Sequence, residues 1–287
     1  MTKLEAYYNK FNEEKRLNSR HGQVEYRVSM KYIHEYLDEA AAKNRNAAAS
    51  VIDGAVCGDA VKASENLENR AQVKVLDIGA GTGRYSVVLA QEGYDVTAVE
   101  LVRYNLGILK QKASSVKAMQ GNAKNLKKLE SGKFDVTLLF GPMYHLFGFE
   151  DKIKALCEAK RVTRKGGVIL VAYCMNEYGV ITYGFKERHV LTCIKERQFT
   201  EDFKTIPCSE ALYDYMRIED IDALNEAAGL ERIKIISPDG AANYIRPFLN
   251  QLNEEEFEAF VQYQLATCER QDLIGAGAHT IDILRKL

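Results

Sequence analysis

The sequence predicts an α/β protein built on an open, doubly wound and mostly parallel sheet. From about residue 73 onward, short β-branched runs alternate with longer segments of helical periodicity. Strands separated by helices favour parallel pairing with right-handed crossovers, and several runs are apolar throughout, which is typical of strands buried on both faces. A glycine-rich turn lies between the first run and the first helix. These patterns predict a sheet that binds a ligand beyond the carboxyl ends of its strands.

The part of the chain before the alternation divides in two. Residues 1–43 are polar and aromatic, and the segment from Gln23 to Ala41 places apolar residues at steps of three and four. This spacing predicts a helix, so we expect an N-terminal helical cap over 1–43. Residues 44–70 are rich in Ala, Asn, Ser and Gly without a sustained apolar period, which predicts a flexible linker or insertion. The main domain is then expected over 71–287.

The alternation gives the element order. The first predicted strands are 73–79, 95–100, 116–120, 134–140 and 167–174. Predicted helices between them cover 84–92, 101–113 and 150–163, and the last is expected to end in a left-handed glycine within Lys165-Gly166-Gly167. Further along, a helix over IEDIDALNEAAGL, a strand over ERIKIIS, a helix over 254–270 and a final strand over HTIDILRK are predicted.

Residues 175–215 interrupt the alternation and are rich in Tyr and Phe. An insertion of this length beside the carboxyl edge of a sheet is typical of a lid over a substrate, with Tyr178 and Tyr183 as candidate contacts. A satellite aromatic cluster that packs permanently on the core explains the segment equally well. Tyr8 and Arg16 of the N-terminal arm are expected to close over the site, although a solvated amphipathic helix accounts for them almost as well.

Composition narrows the class of partner. The 287 residues include 39 basic and 40 acidic side chains, so the chain offers no basic surface of the kind that binds nucleic acid. The six cysteines are widely spaced, without metal-ligand spacing, and predict reduced thiols and no metal. The N-terminus has no signal-peptide core, and no stretch approaches the roughly 18 apolar residues of a membrane span. We therefore expect a cytoplasmic protein with a small-molecule partner, and neither nucleic acid nor membrane.

The most informative segment is VLDIGAGTGRYSVVLA, residues 75–90. Its strand contains Asp77 near the end, three glycines follow in the turn, and an amphipathic helix begins near Arg84. Glycine lets a ligand approach the backbone closely, and a helix N-terminus offers unpaired N–H groups. A dinucleotide fingerprint would require glycine where Arg84 stands, so NAD is the weaker interpretation. An acidic residue ahead of the glycines suits a positively charged amino-acid portion better than a pyrophosphate.

In this respect the turn resembles the first motif of the class I S-adenosylmethionine-dependent methyltransferases. Glu100 ends the second predicted strand, where such enzymes bind the ribose hydroxyls through a carboxylate. The segment GNAKNL resembles their adenine-binding turn, with Asn122 in place of the usual Asp. FDVTLLFGPMYHLF, residues 134–147, and RVTRKGGVILVAY, residues 161–173, resemble a bacterial subgroup with a G-P-L-Y-H-L motif after the fourth strand.

The resemblance covers most of the chain outside 44–70. It implies a Rossmann-like, mostly parallel seven-stranded sheet with an N-terminal cap and a lid insertion. It also implies that S-adenosyl-L-methionine, without a metal, donates its methyl group to a small-molecule acceptor by in-line displacement, with S-adenosyl-L-homocysteine as product. A non-catalytic protein that binds this cofactor and a nicotinamide-dependent oxidoreductase are the alternative interpretations.

The resemblance also implies individual roles. The glycine turn would hold the homocysteine portion, Asp77 would orient its ammonium, Glu100 would bind the ribose and Leu101 would cover one face of the adenine. A helix-capping Asp77 and a surface carboxylate at Glu100 are the structural alternatives. The expected cofactor-binding residues are Asp77, Gly79, Ala80, Gly81, Gly83, Glu100, Leu101, Asn122, Ala123 and Phe140.

Tyr144 and His145 follow the fourth predicted strand and are the candidates for contact with the acceptor. Alignment of the acceptor supplies most of the catalysis of such a displacement, and a base is needed only if the acceptor must lose a proton. His145, with a reference pKa of about 6.5, could act as that base near neutrality. A hydrogen-bonded structural histidine is the alternative.

Overall fold

The computed structural model describes residues 7, 19–49, 70, 72–112 and 115–287. Among these residues, seven strands form one sheet: β1 (Lys74–Ile78), β2 (Asp95–Glu100), β3 (Lys117–Gln120), β4 (Phe134–Leu139), β5 (Thr163–Cys174), β6 (Glu231–Ile236) and β7 (His279–Arg285). Their order is β3-β2-β1-β4-β5-β7-β6. The strands β1 to β5 pair in parallel, and β7 runs antiparallel to both β5 and β6. The predicted Rossmann-like, mostly parallel sheet is confirmed.

Helices cover both faces of the sheet. They are α1 (Arg20–Ala49), α2 (Ser86–Gln91), α3 (Arg103–Lys112), α4 (Phe149–Val162), α5 (Asn176–Gly179), α6 (Val190–Lys195), α7 (Ile218–Ala228), α8 (Arg246–Leu249) and α9 (Glu254–Thr267). Side chains of a strand alternate between faces, so Val75 lies in one buried apolar cluster while Leu76 and Ile78 lie in another. The first cluster includes side chains of α1, and the second includes side chains of α4 and α7. Two cores therefore sandwich the sheet.

The N-terminal helix α1 packs its predicted apolar face on the sheet. Val28, Tyr32 and Leu37 of that face are fully buried in the first cluster. On its outer side, Arg27 makes a bidentate ion pair with Glu258 of α9, with bonds of 2.6 and 2.9 Å. The helix extends to Ala49 and so into the segment predicted as a linker, whereas residues 50–69 lie outside the described residues.

The glycines predicted to end α4 lie beyond the helix, within β5, so that prediction is wrong. The helix ends at Val162, because Thr163 is already extended and pairs with Phe134 of β4. Gly166 does have a left-handed φ of 73°, but it lies within β5, where the register with β4 shifts. Its N–H donates to the carbonyl of Lys286 at 2.7 Å. The glycines therefore form a bulge in the strand.

The interruption predicted after β5 consists of short elements, namely α5, a π-helical stretch over Val180–Lys186, and α6. The described cysteines are free thiols, as predicted: Cys157, Cys174, Cys193, Cys208 and Cys268. Over the described part of the chain, no helix combines the length and the apolar character that a membrane crossing requires.

Candidate functional site

A cavity of about 450 Å³ opens at the carboxyl ends of β1, β2 and β4. Cavities that bind small molecules measure about 300 to 1,000 Å³, so its size suits such a ligand. We call it the first cavity. Of the residues predicted to contact cofactor or acceptor, it brings together Gly79, Gly81, Glu100, Leu101, Asn122, Ala123, Phe140, Tyr144 and His145.

The glycine turn forms one wall of the first cavity. Gly79 has a φ of 77° and its N–H donates to the carbonyl of Val99 at 2.8 Å. A Cβ at Gly79 would lie 2.5 Å from Cδ of Pro142, so only glycine lets the loop after β4 approach the turn this closely. Gly81 has a φ of 56° and faces the cavity. The turn is thus shaped by backbone conformations that side chains would prevent.

Glu100 faces the glycine turn from the end of β2. One carboxylate oxygen accepts the N–H of Gly81 at 2.8 Å, and the other accepts the N–H of Val102 at 2.7 Å. The residue is 5% exposed and lines the first cavity. These contacts exclude the alternative of a surface carboxylate. A carboxylate has about four acceptor positions, so this one can join the turn to β2 and still accept from a ligand hydroxyl.

The turn after β3 and α3 also line the first cavity. The Asn122 side-chain oxygen accepts the N–H of Lys124 at 3.0 Å, which fixes the turn. Leu101 is 40% exposed at the cavity rim, where an apolar ligand face could cover it. Asn105 of α3 is buried and also lines the cavity. Sequence reasoning missed Asn105, because it lies inside an amphipathic helix without a motif.

Asp77 and Ala80 face a smaller space of about 50 Å³, the second cavity, which shares Gly79, Phe140 and Tyr144 with the first. Asp77 is 1% exposed and accepts a hydrogen bond from the hydroxyl of Ser86 at the start of α2. Asp77 therefore contacts the first residue of α2 through a side-chain hydrogen bond, while the helix N-terminus itself has no side-chain cap.

Gly83 lines neither cavity. A Cβ there would lie 2.3 Å from Cδ1 of Leu109, so this glycine serves the contact between the turn and α3.

The loop after β4 holds Tyr144 and His145 in a 3-10 turn over Pro142–His145. Nδ1 of His145 donates to the carbonyl of Leu212 at 2.9 Å. Burial lowers the pKa of His145 to about 4, so the ring is neutral at pH 7 and a weak base. These facts agree with the structural alternative for His145 and give no support to a base near neutrality.

A buried ion pair fixes this loop against residues 212–214. Lys152 of α4 pairs with Asp214, and both side chains are at most 3% exposed. Lys152 also donates to the carbonyl of Leu146, while the N–H of Asp214 donates to the carbonyl of Tyr144 at 2.8 Å. The positions of Tyr144 and His145 therefore depend on a contact behind the cavity.

The predicted lid residues lie apart from the two cavities. The hydroxyl of Tyr178 accepts from Arg246 at 3.2 Å, and its ring meets that of Tyr244 edge-on at 5.1 Å. Tyr183 is 50% exposed and stacks on His189 with ring centroids 4.4 Å apart. Neither tyrosine lines the first or the second cavity.

Of the N-terminal arm, the predicted contacts Tyr8 and Arg16 lie outside the described residues. Tyr7 is described, and its hydroxyl accepts from the hydroxyl of Tyr213 at 3.4 Å. The arm therefore reaches the segment between α6 and α7 at this residue.

Sequence reasoning also missed a group of three titratable side chains, Glu25 of α1, Asp239 after β6 and His279 of β7, which we call the acidic triad. Nδ1 of His279 lies 2.8 Å from a carboxylate oxygen of Asp239 and 3.7 Å from one of Glu25. Burial alone would lower the pKa of His279, but the negative charges of the Glu25 and Asp239 carboxylates outweigh it and raise the pKa well above 6.5. One ligand atom from each triad residue lies within 4.8 Å of the others, so the triad could hold a cation.

Residues 76–171 match the protein family described as "Methyltransferase domain". A demethylmenaquinone methyltransferase of Renibacterium salmoninarum is 33% identical over 111 residues, which cover 39% of this chain and 44% of that protein. A glycine/sarcosine N-methyltransferase of Aphanothece halophytica is 25% identical over 130 residues, or 44% of this chain and 49% of that protein. The matched segment thus spans about half the length of these curated relatives.

The fold has a solved counterpart in a SAM-dependent methyltransferase of Methanosarcina mazei. The two align with a TM-score of 0.50 and 15% sequence identity, over 77% of this chain and 96% of the other. The chain therefore has a Rossmann-like methyltransferase fold. The segment 76–171, which matches the methyltransferase domain family, contains the glycine turn, Glu100 and Tyr144. This match favours the predicted methyltransferase over the nicotinamide-dependent alternative, whereas the particular bacterial subgroup stays a prediction.

Proposed function

We propose that the protein transfers a methyl group from S-adenosyl-L-methionine to a small-molecule acceptor. The observation that carries this proposal is the first cavity, where the glycine turn and the buried Glu100 carboxylate face one another at the edge of the sheet. The turn fits the cofactor because Gly81, with a φ of 56°, presents backbone without a side chain to the cavity. When bound, the cofactor supplies an electrophilic methyl group on a sulfonium.

Different residues of the first cavity bind different parts of the cofactor. Glu100 accepts from the ribose hydroxyls, and Asn122, Ala123 and Leu101 enclose the adenine. Asp77, on the second cavity, orients the ammonium of the amino-acid portion, since a buried carboxylate favours a cationic neighbour. Phe140 also belongs to this binding wall because it lines both cavities.

Tyr144 is the residue we expect nearest the acceptor, because it also lines both cavities. Its main contribution is to align the acceptor and to exclude water, which are the principal effects in a displacement of this kind. We assign His145 a positioning role, since its ring is held by Leu212 and is neutral. A small-molecule acceptor is supported by the near balance of charge and by relatives whose names specify demethylmenaquinone or glycine and sarcosine.

Calorimetry with S-adenosyl-L-homocysteine and, separately, with NAD tests the cofactor class. We expect binding of the former alone. Gly81→Val should abolish it, because a branched side chain would occupy the ligand space and strain a φ of 56°. The matched control is Gly107→Val, at an exposed position of α3 where a Cβ meets nothing within 4 Å. Near-normal affinity in a folded Gly81→Val protein would remove the basis of the proposal.

Glu100→Ala tests the ribose contact. A hydrogen bond to a charged group contributes about 1.5 to 3 kcal/mol, so affinity for S-adenosyl-L-homocysteine should fall by about one to two decades. Glu130→Ala, at an exposed position, is the control and should leave affinity unchanged. An unchanged dissociation constant for Glu100→Ala, with unchanged circular dichroism, would mean that the ribose is bound elsewhere.

A further inference from the structure

The segment between β5 and α7 exposes a concentration of large apolar side chains. Of the fourteen such side chains that the described residues expose to solvent, six lie within residues 181–203. The exposed fraction of each is between 38% and 77%. Single exposed hydrophobic residues are normal, whereas a concentration of them indicates an interaction site. The six, which we call the apolar surface, are Ile181, Tyr183, Phe185, Leu191, Ile194 and Phe203.

The side chains of the apolar surface are carried by packed elements. They belong to the π-helical stretch, to α6 and to the loop that follows α6. A Cβ at Gly184 would lie 3.9 Å from Cβ of Val190, so the π-helical stretch and α6 lie side by side. The rings of Phe185 and Phe203 have centroids 6.3 Å apart, which joins the loop to the π-helical stretch. The exposed side chains are therefore held on one folded unit.

The apolar surface is large enough to form one side of a stable interface. Large apolar side chains present roughly 150 to 200 Å² each, so the exposed fractions of these six amount to roughly 450 to 650 Å². A standard interface buries about 800 Å² on each partner, and about 60% of that area, or about 500 Å², is apolar. A partner that covers this surface therefore buries the apolar area that a specific complex needs.

Charges of both signs flank the apolar surface. The tripeptide Lys-Glu-Arg occurs at 186–188, at the end of the π-helical stretch, and again at 195–197, at the end of α6. Glu201 adds one acidic group, whereas Asp202 and Lys204 are already paired with residues of the same chain. The remaining charges are thus four basic and three acidic side chains, none of which makes an ion pair with another described residue.

This mixture of charges decides between the partners that an apolar surface could have. An anionic membrane attracts clusters of about four to eight basic side chains, and a nucleic acid attracts a basic stripe, so a mixed surface suits neither. A second copy of the chain presents the same mixture, which gives the acidic side chains of one copy basic side chains on the other. Symmetric homodimers are also the commonest oligomers, and each copy contributes the same surface to their interface.

We propose that the apolar surface pairs with the same surface of a second copy of this chain across a two-fold axis. The six apolar side chains form the centre of the interface, and the two Lys-Glu-Arg tripeptides lie at its rim. None of the six lines the first or the second cavity, so the pairing leaves both cavities open. The dimer is independent of the proposed function.

Sedimentation velocity of the full-length protein over a range of micromolar concentrations tests the proposal. We expect a species with twice the mass of one chain. Leu191→Glu and, separately, Ile194→Glu should raise the dimer dissociation constant at least tenfold, because each would bury an unpaired charge in the interface. Both side chains are exposed, so circular dichroism should be unchanged. The matched control is Phe248→Glu, at an exposed apolar position of α8, which should leave the dissociation constant unchanged.

Three results would overturn the proposal. The first is a monomer at every concentration. The second is a dimer that dissociates no more readily in Leu191→Glu and Ile194→Glu than in Phe248→Glu, because the copies would then meet elsewhere. The third is co-sedimentation with phosphatidylglycerol vesicles, but not with phosphatidylcholine vesicles, that Leu191→Glu abolishes, because the surface would then bind an anionic membrane.

Discussion

His145 and His279 are both neighbours of the Tyr144 ring, with centroid distances of 4.8 and 6.4 Å, yet their protonation differs. His145 faces the carbonyl of Leu212, and burial lowers its pKa to about 4. His279 experiences a burial effect of the same direction, but the charges around it raise its pKa well above 6.5. The partner's formal charge, rather than burial itself, decides whether a buried imidazole holds a proton.

The comparison separates two kinds of support for the candidate site. On the His145 side, the backbone carbonyl of Leu212 and the nearby Lys152–Asp214 ion pair fix a neutral ring. On the His279 side, carboxylates act directly on the ring. The first arrangement positions a loop, and the second sets a charge.

The largest effect is expected from breaking the support on the His145 side. Lys152→Met would leave the buried Asp214 carboxylate without its cation, and such a loss costs about 3 to 5 kcal/mol. We expect the free energy of unfolding in urea to fall by that amount. Lys154→Met, at a side chain 59% exposed on the same helix, is the control and should change little. A loss below about 1 kcal/mol for Lys152→Met would contradict a structural role of the pair.

The second prediction concerns the pH dependence on the His145 side. The folded pKa of about 4 lies below the unfolded value of about 6.5, so the unfolded chain binds the proton first. The contribution of His145 is present above pH 6.5 and is lost as pH falls toward 4, by at most about 3 kcal/mol. Urea unfolding of the native protein and His145→Gln measures it. If the difference between the two proteins does not shrink between pH 7 and pH 4.5, the ring is not held neutral.

His279 should show the opposite sign. Its folded pKa is raised, so its contribution is fully present below the unfolded pKa and is lost as pH rises through the folded pKa. His279→Gln should cost about 1.5 kcal/mol at pH 6, the lower end for a hydrogen bond to a charged group, and less at pH 9. A cost that grows with pH would show that the carboxylates do not hold the proton on this ring.

The smallest effect is expected from removing the aromatic ring that stacks on His145. Tyr213 stacks on His145 with centroids 5.4 Å apart, and such pairs contribute about 0.5 to 1.5 kcal/mol. Tyr213→Leu should lose that amount and should move the pKa of His145 back toward 6.5, because the ring excludes water. Tyr213→Phe keeps the ring and is the control. If a proton NMR titration finds the same His145 pKa in both variants, the stacked ring does not cause the lowered pKa.

The parts of the candidate site differ in how far the sequence predicts them. The glycine turn and Glu100 follow local patterns, because a strand end and the turn after it are written in consecutive residues. Gly83 belongs to the same pattern but packs against Leu109, so a local motif cannot tell a ligand contact from a helix contact. The predicted helix end at Gly166 failed for a similar reason, because a left-handed glycine serves a bulge as well as a cap.

The acidic triad could not be predicted by such patterns. Its members come from α1, from the loop after β6 and from β7, and the antiparallel register that pairs Cys174 with His279 brings them to one wall. The lowered pKa of His145 likewise depends on Leu212, in a segment without a periodic pattern. Charge and burial at the site are set by contacts between distant segments, which hydrophobic periodicity does not encode.

The place of β7 between β5 and β6 has a consequence for biosynthesis. Residues 237–278 separate β6 from β7 in the chain, so the ribosome makes β6 well before the strand that joins it to the sheet. At about 5 to 20 residues per second, that interval lasts on the order of seconds. Throughout it, β5 presents an open edge and β6 has no neighbour, and open edges recruit other strands. A nascent chain arrested between the two strands would therefore end its sheet at β5 and expose β6 to proteases and chaperones.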